Sequence, residues 1–308
     1  TPAGREIELR LSTMPTAFGE KCVLRIFDPD TVTKNFNQLG FAPAEETAWQ
    51  AMIARPHGIV LVTGPTGSGK TTTLYTTLKQ LATPEVNVCT IEDPIEMVVP
   101  ELNQMQVQSA IDLTFAQGIR TLLRQDPDII MVGEIRDLET AQMAVQAALT
   151  GHLVLSTLHT NDAASAVTRL LDLGIPHYLI QNVLIGVMAQ RLVRTLCPHC
   201  KGTDQIDEVL WGALARPWPL QKPTVIGAPK GCPECRNTGY LGRVGLYELL
   251  TVTPGLRRLF QPGMDEETLR RGAFEQGMRP LRVSAALQIA AGLTTFEEVV
   301  QILPPLTE

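Results

Sequence analysis

The sequence predicts an α/β protein with a mostly parallel sheet, and two observations support that prediction. Between residues 36 and 172, apolar runs of strand length alternate with segments of helical pattern, which is typical of parallel strands joined by helices. The runs IVLV, IIMV and LVL are apolar throughout, as expected of strands whose two faces are both buried. With 44% hydrophobic and 19% charged residues, the composition is that of a globular protein able to form such a core.

Each element follows from its own local pattern. Residues 5–27 alternate apolar and polar side chains around a polar turn at 15–20, which predicts two adjacent strands. Further along we expect helices at 43–54, 70–82, 114–123, 138–149 and 162–172, and strands at 59–63, 86–91, 129–133 and 153–157. After Gly174 the pattern predicts helix up to Leu196. From Pro254 it predicts short helices, one of them opening on the acidic residues of DEETLRRGAFEQG.

Length and charge limit the possible functions. A chain of 308 residues is long enough for two compact domains. It has no run of about eighteen apolar residues, so no membrane span is expected, and because it does not begin with Met we expect a soluble fragment or a processed chain. The net charge of −6 gives no general electrostatic reason to bind nucleic acid, whose binding depends on Lys and Arg.

A glycine-rich segment, GPTGSGKTTTLY, follows the strand at 59–63 and precedes a predicted helix. In this context the spacing Gly-x-x-x-x-Gly-Lys-Thr is a phosphate loop, whose glycines let backbone N–H groups converge on an anion at the positive end of the helix dipole. Lys70 is expected to reach the β- and γ-phosphates, and Thr71 to place its hydroxyl on Mg²⁺. The predicted nucleotide-binding residues here are Gly64, Pro65, Thr66, Gly67, Ser68, Gly69, Lys70, Thr71 and Thr72.

Carboxylates follow two neighbouring strands. In DPDIIMVGEIRD, the apolar strand delivers Gly133 and then Glu134 to the sheet edge where ligands bind. Phosphoryl-transfer enzymes of this shape often have, at the position of Gly133, an Asp that helps to hold Mg²⁺. With Gly133 there instead, Glu134 is predicted to be the general base for the attacking water. TIEDPIE places Glu92 and Asp93, taken as nucleotide-binding, and Glu96, taken as catalytic, in one turn, which is either an outer shell for Mg²⁺ and its waters or a solvated acidic turn.

Three basic side chains complete the candidate catalytic set. His159, in STLHTNDAAS, lies between a strand and a helix predicted to be capped by Asn161 or Asp162, where it could hydrogen-bond a γ-phosphate. Arg10 and Arg25 lie on the two N-terminal strands. They are either solvated strand arginines or positive side chains that, supplied by another unit, stabilise the transferred phosphoryl group.

Four of the six cysteines fall in two Cys-Pro-x-Cys pairs, Cys197 with Cys200 and Cys232 with Cys235. Paired cysteines at this spacing are typical of structural zinc held tetrahedrally by four thiolates, with no open position for catalysis. They also indicate a reducing compartment rather than a disulfide framework. Two alternatives remain. His199 could replace one sulfur, or the two pairs form turns with reduced thiols that do not require a metal.

Taken together, GPTGSGKTTTLY, TIEDPIE, DIIMVGEIRD, STLHTNDA and the paired CPHC and CPEC resemble the secretion ATPases of type II secretion and type IV pilus assembly, over nearly the whole chain. In that family the four nucleotide motifs are the Walker A, aspartate, Walker B and histidine boxes, and arginines of the N-terminal domain, here Arg10 and Arg25, close over the nucleotide. The resemblance implies a partial PAS-like N-terminal domain with its linker at 1–35, a RecA-like P-loop ATPase core at 36–195, a four-cysteine zinc-binding subdomain at 196–240 and a C-terminal helical subdomain at 241–308.

The resemblance also implies a function. Such motors are homohexamers at the cytoplasmic face of the inner membrane; they use ATP, Mg²⁺ and Zn²⁺, act on an inner-membrane platform protein and meet the membrane only through partners. We therefore expect a motor ATPase of pilus assembly or type II secretion, which share every motif quoted above. A nucleic-acid-translocating ring ATPase of the conjugation type is the alternative, disfavoured by the acidic charge and few aromatic residues, so no nucleic acid is expected. A small-molecule kinase or a nucleotide-binding scaffold is a third class, and no acceptor-binding motif supports a kinase.

Overall fold

The structure, a computed structural model, describes residues 8–27 and 34–303, apart from the side chains of Glu8, Arg10, Arg25 and Phe27. Its strands in that part are β1 (Glu8–Thr16), β2 (Gly19–Phe27), β3 (Gly58–Thr63), β4 (Val88–Glu92), β5 (Asn103–Gln106), β6 (Ile129–Val132), β7 (Leu153–Leu158), β8 (Leu184–Leu196), β9 (Gly202–Gln205), β10 (Val225–Ala228) and β11 (Tyr240–Thr251). Its helices there are α1 (Phe36–Leu39), α2 (Pro43–Ile53), α3 (Lys70–Leu81), α4 (Phe115–Leu122), α5 (Leu138–Leu149), α6 (Ala163–Asp172), α7 (His177–Val183), α8 (Glu208–Ala215), α9 (Pro254–Arg257), α10 (Glu266–Glu275), α11 (Leu281–Ala290) and α12 (Phe296–Ile302).

The main sheet has the strand order β11-β8-β3-β7-β6-β4-β5. Its strands from β8 to β5 run parallel to their neighbours, and β11 is antiparallel to β8. The predicted α/β architecture with a mostly parallel sheet is therefore confirmed. The short edge strand β5 and the strand β11 are additions that the sequence analysis did not predict.

Helices cover both faces of the sheet. On β3, Ile59 and Leu61 belong to a core cluster with α4, α5, α6 and α7, whereas Val60 and Val62 belong to a second cluster with α2 and α3. Successive side chains of a strand point to opposite faces, so a strand between two helical layers must be apolar at every position. This is why the run IVLV shows no alternation.

Side-chain caps fix where the helices on the ligand-binding edge begin. Asp137 accepts a hydrogen bond from the backbone N–H of Thr140 (2.8 Å) at the start of α5. At the start of α6, Asp162 accepts one from the N–H of Ser165 (2.8 Å), so Asp162, rather than Asn161, is the cap. Each cap satisfies a backbone donor that the first turn leaves free, and thereby fixes the direction of the loop before it.

The helix expected from Gly174 to Leu196 is wrong in its second half. After the short helix α7, the chain continues as the 13-residue strand β8, which lies between β3 and β11. A Cβ at Gly186 would lie 2.6 Å from Sδ of Met52 and 2.8 Å from the backbone oxygen of Leu250, so only glycine lets α2 and β11 approach β8 so closely.

The C-terminal region is partly helical, as predicted, because α9 to α12 follow Pro254. A third core cluster packs α8, α11 and α12 against β8 and β11. It includes Trp211, Ile289, Phe296, Val193 and Leu246. The expected division assigns β11 to the C-terminal helical subdomain, but this strand pairs with β8 in the main sheet. The division of the chain into four regions otherwise stays a prediction.

Two polar contacts tie the C-terminal helices to the start of α6. The buried carboxylate of Glu248, on β11, accepts hydrogen bonds from the backbone N–H groups of Ala163 (2.9 Å) and Leu281 (3.3 Å), the first residues of α6 and α11. Burial raises the pKa of Glu248 to about 7. In addition, Arg270 of α10 forms an ion pair with Asp162 (2.9 Å).

The predicted N-terminal strand pair is present as the antiparallel hairpin β1–β2, in which Leu11 lies opposite Leu24. The side chains of Leu11, Phe18 and Leu24 are exposed. Among the described residues, no helix has the length and apolar character needed to cross a membrane.

Candidate functional site

The phosphate loop lies between the carboxyl end of β3 and the first residue of α3. Gly64, Gly67 and Gly69 have φ angles of +149°, +79° and +87°, a region that favours glycine. A Cβ at Gly64 would lie 2.5 Å from the backbone oxygen of Gln190. The hydroxyl of Ser68 is buried and has no hydrogen-bond partner in the described part of the chain. The loop is therefore a close-packed cradle with an unused donor, which fits a phosphate group.

Lys70, the first residue of α3, folds back onto this loop. Its side chain is 9% exposed, and its ammonium donates to the backbone oxygens of Gly64 (2.8 Å) and Pro65 (3.1 Å). Burial lowers the pKa of Lys70 to about 8; the negative charge of Glu134 opposes this shift and the positive charge of Arg191 adds to it. Lys70 thus lies close to a carboxylate that follows β6 and a guanidinium on β8.

Glu134 and His159 meet at the same edge of the sheet. Glu134 follows β6 and His159 follows β7, and Oε2 of Glu134 lies 3.3 Å from Nε2 of His159. The side chain of Glu134 is only 12% exposed, and its Oε1 is 2.6 Å from Nη2 of Arg136. This bond to Glu134 is the main reason that the pKa of Arg136 is raised. The structure therefore brings Glu134, the predicted base, into contact with His159, the residue expected to hydrogen-bond a γ-phosphate, and Arg136 is a third partner.

The expected cluster of three carboxylates in TIEDPIE does not form, because Glu92 points into the protein. Glu92 is 4% exposed, and its carboxylate accepts hydrogen bonds from the hydroxyls of Tyr75 (2.7 Å) and Thr90 (2.6 Å) and from the amide of Gln104 (3.2 Å). A carboxylate whose oxygens are used in this way holds α3 against β4 and β5. The expected role of Glu92 in the outer shell of Mg²⁺ stays a prediction, and Asp93 is exposed beyond the strand end.

The segment around His159 has two anchors that the sequence analysis missed. Thr63, at the end of β3, accepts a hydrogen bond from the backbone N–H of Thr160 (2.8 Å). Arg191, on β8, donates to the backbone oxygen of Asn161 (2.8 Å). Arg191 was missed because the sequence pattern predicts helix for its segment; the β-branched, glycine-containing run VLIGVMAQRLV was the signal for a buried strand.

The N-terminal arginines stay a prediction. The pairing of β1 with β2 places Arg10 opposite Arg25. Their side chains lie outside the described part of the structure.

The four cysteines converge as predicted. Their sulfur atoms all lie within 4.8 Å of one another, with Sγ–Sγ distances of 3.8 Å for Cys197–Cys232, 3.8 Å for Cys200–Cys235 and 3.7 Å for Cys232–Cys235. Tetrahedral coordination with Zn–S bonds of about 2.3 Å requires separations of about 3.8 Å, so this donor set fits zinc. His199 is exposed and outside the cluster, so the geometry favours the predicted four thiolates over the alternative in which His199 replaces a sulfur.

Comparison with known families decides what this arrangement belongs to. Residues 1–301 match the family described as "Type II/IV secretion system protein". The chain belongs to this secretion-system family. The family resemblance inferred from the motifs is therefore confirmed.

Curated members of this secretion-system family are closely similar to the chain. It is 58% identical over 304 residues to the type IV pilus assembly ATPase TfpB of Acinetobacter baylyi, with 99% of this chain and 52% of that protein covered. It is 46% identical over 302 residues to the type II secretion system ATPase E of Vibrio cholerae, with 97% and 59% covered. The chain thus spans between about half and three fifths of the length of these relatives.

A solved structure of similar fold is the pilus retraction motor PilT with bound ADP. The two superpose with a TM-score of 0.67 at 28% identity, and the match covers 95% of this chain and 73% of that one. This likeness confirms the predicted RecA-like α/β fold for the secretion-system family member described here.

Proposed function

We propose that the protein is a Mg²⁺-dependent ATPase whose hydrolysis of ATP drives the assembly of a type IV pilus or of a type II secretion pseudopilus. One observation supports this most directly: Glu134 and His159 lie in contact beside a phosphate loop, with Lys70 within electrostatic reach. The relatives, named as a pilus assembly ATPase and a type II secretion ATPase, support the choice of these two machines.

ATP would bind with its phosphates in the loop 64–69, and the ADP bound to the retraction motor supports the binding of an adenine nucleotide. The ammonium of Lys70 would exchange its bonds to two loop carbonyls for bonds to phosphate oxygens. Ser68 would gain an acceptor for its unpaired hydroxyl. The exposed hydroxyl of Thr71 would hold Mg²⁺, which neutralises negative charge on the phosphate oxygens when it is bound.

Glu134 would accept the proton of the attacking water. Arg136 and His159 contact its two carboxylate oxygens from different sides and fix its orientation. His159 is also 48% exposed on its side chain, so it can face a phosphate group while it contacts Glu134. Loss of the γ-phosphate would then be felt by the segment that leads into α6. Asp93 and Glu96 stay candidates for a role near the metal.

We further propose that the protein works as a homohexamer in which Arg10 and Arg25 approach a nucleotide and complete its site. The ring would sit in the cytoplasm, at the inner membrane, and would act on an inner-membrane platform protein. The zinc held by the four cysteines would stabilise the subdomain at 196–240. These proposals rest on the family, and the arginine proposal also rests on the hairpin, which pairs residues 10 and 25 on adjacent strands.

The first test is ATP hydrolysis per chain, measured with Mg²⁺ over a range of protein concentrations. For the wild type we expect the rate per chain to rise with concentration as rings assemble, and for Arg25→Ala we expect the rise to disappear. Lys21→Ala, which changes an exposed residue of the same strand, is the matched control and should behave like the wild type. A rate independent of concentration and of Arg25 would reject the ring proposal, and no phosphate release at any concentration would reject the ATPase.

A second expectation concerns pH. Because the pKa of Lys70 is lowered to about 8, its ammonium loses its proton as the pH rises through that value. A phosphate ligand favours the charged form, so ADP affinity should be highest below pH 8 and should fall by up to about tenfold per pH unit above it. Fluorescence titration at pH 7, 8 and 9 measures this. Lys70→Arg, charged throughout this range, should show a flat profile, and a flat wild-type profile would contradict the expectation.

A further inference from the structure

Arg191 is a buried charged residue that the proposed hydrolysis does not yet use. It lies on β8 and is 5% exposed. Its Nη2 donates to the backbone oxygen of Asn161 (2.8 Å), and its Nη1 donates to the backbone oxygen of Gln190 (3.1 Å). Burial of a guanidinium is unfavourable unless its donors are satisfied. A buried arginine at this position therefore indicates a specific role.

The position of Arg191 indicates that role, because the residue joins two parts of the nucleotide site. On one side, a Cβ at Gly64 would lie 3.2 Å from its Nη1, so the guanidinium packs directly against the phosphate loop. On the other side, it holds Asn161, which follows His159 by two residues along the chain. Arg191 therefore bridges the phosphate loop and the segment that carries His159.

A second anchor makes this bridge effective. The backbone N–H of Thr160 donates to the hydroxyl of Thr63 (2.8 Å), and the hydroxyls of the two threonines are 2.7 Å apart. Thr63 thus fixes residue 160 and Arg191 fixes residue 161, which leaves His159 little freedom relative to Glu134. A planar guanidinium donates from two terminal nitrogens held in a fixed fork, whereas a lysine ammonium has all its donors on one nitrogen and cannot reproduce that geometry.

We propose that Arg191 is a positioning residue for ATP hydrolysis: it holds residues 159–161 so that His159 faces Glu134 and the phosphate side of the site, and it does not itself contact the nucleotide. The inference rests on the proposed ATPase function. Direct contact with phosphate is the competing role: Nη1 donates one of its two N–H groups to the backbone oxygen of Gln190, which leaves the other as a donor, and the affinity measurement described next separates the two roles.

Arg191→Lys tests the proposal because it keeps the charge and removes the fork. Displacement of a catalytic group by about 1 Å commonly lowers the rate by about a hundredfold, so kcat should fall by about ten- to a hundredfold. The Kd for ADP should change by less than about threefold, because uniform binding is left intact. Arg194→Lys, at the exposed end of the same strand, is the matched control and should leave both values unchanged. A fall in ADP affinity of about tenfold or more in Arg191→Lys would make Arg191 a phosphate ligand and overturn the proposal.

A double-mutant cycle tests whether Arg191 acts through His159. His159→Ala and Arg191→Lys together should be no slower than the slower single variant, since each removes the same contribution. If the double variant is slowed by the product of the two single-variant effects on the rate, the proposal is overturned.

Hydrogen exchange of the Thr160 amide in the nucleotide-free protein gives a readout without activity. Exchange should be faster in Arg191→Lys and unchanged in Arg194→Lys. If the wild type releases no phosphate, the proposed function fails, and this exchange measurement still decides the anchor: unchanged exchange in Arg191→Lys would reject it.

Discussion

Replacing Glu134 with Gln is expected to lower the rate of ATP hydrolysis by about 10²- to 10⁴-fold, because an amide cannot accept the proton of the attacking water. The amide has the shape of the carboxylate, and its oxygen can still accept the hydrogen bond that Arg136 now donates to Oε1 of Glu134. ADP and ATP affinity should therefore be retained. Phosphate release in a single turnover, together with a nucleotide titration, separates the two effects.

Glu139→Gln is the matched control for that substitution. Glu139 lies five residues further along the chain on α5, its side chain is 59% exposed, and it pairs with Arg120 (3.1 Å) away from the phosphate loop. Exposed pairs of this kind contribute about 1 kcal/mol or less, so neither hydrolysis nor folding should change measurably. If Glu134→Gln turned over ATP as fast as this control, Glu134 could not be the base, and Glu96 would be the next residue to replace.

Replacing Cys235 with Ser is expected to abolish tight zinc binding and to destabilise the segment 196–240. Structural zinc contributes on the order of 10 kcal/mol to the folding of small zinc-dependent domains, and binding needs all four thiolates. Cys235 is central to the cluster, because its sulfur lies close to two other thiols and also accepts hydrogen bonds from the backbone N–H groups of Cys232 and Gly239 (3.2 Å each). Zinc content per chain and thermal unfolding with and without a chelator measure the effect.

Cys22→Ser is the matched control for the zinc experiment. Cys22 is exposed on β2, outside the four-cysteine cluster, so this variant should keep one zinc ion per chain and the wild-type unfolding temperature. Wild-type protein that is purified without zinc and unfolds at the same temperature with or without added metal would contradict the expectation. The cysteine pairs would then be turns that need no metal.

Local patterns were sufficient for the parts of the fold that local physics determines. The phosphate loop, the strands that precede Glu134 and His159, and a cap at Asn161 or Asp162 each depend on a few neighbouring residues, so the sequence predicted them, and the structure selects Asp162 as the cap. Strand β8 was not assigned in this way, although its β-branched residues and its glycine favour a strand. A strand buried on both faces has no alternation, and its apolar run resembles a buried helix until its neighbours β3 and β11 are known.

The site shows the same limit at the level of single side chains. Spacing alone placed Glu92 with Asp93 and Glu96, but the direction of its side chain is set by donors on other elements, Tyr75 of α3 and Gln104 of β5. Arg191 was missed for a related reason. Its position at the site is evident only from its contacts to Asn161 and the phosphate loop, which are far away in sequence. Residues that act through long-range contacts leave no local pattern.

The carboxylate of Glu248 couples the movement of two helices, α6 and α11. One side chain accepts the first N–H of α6, which follows the segment of His159, and the first N–H of α11, in the C-terminal region. If one helix shifted along its axis, the buried carboxylate would lose a hydrogen-bond donor, which is unfavourable. The two helices are therefore expected to move together. A displacement at the start of α6, close to His159 along the chain, would then also move the start of α11.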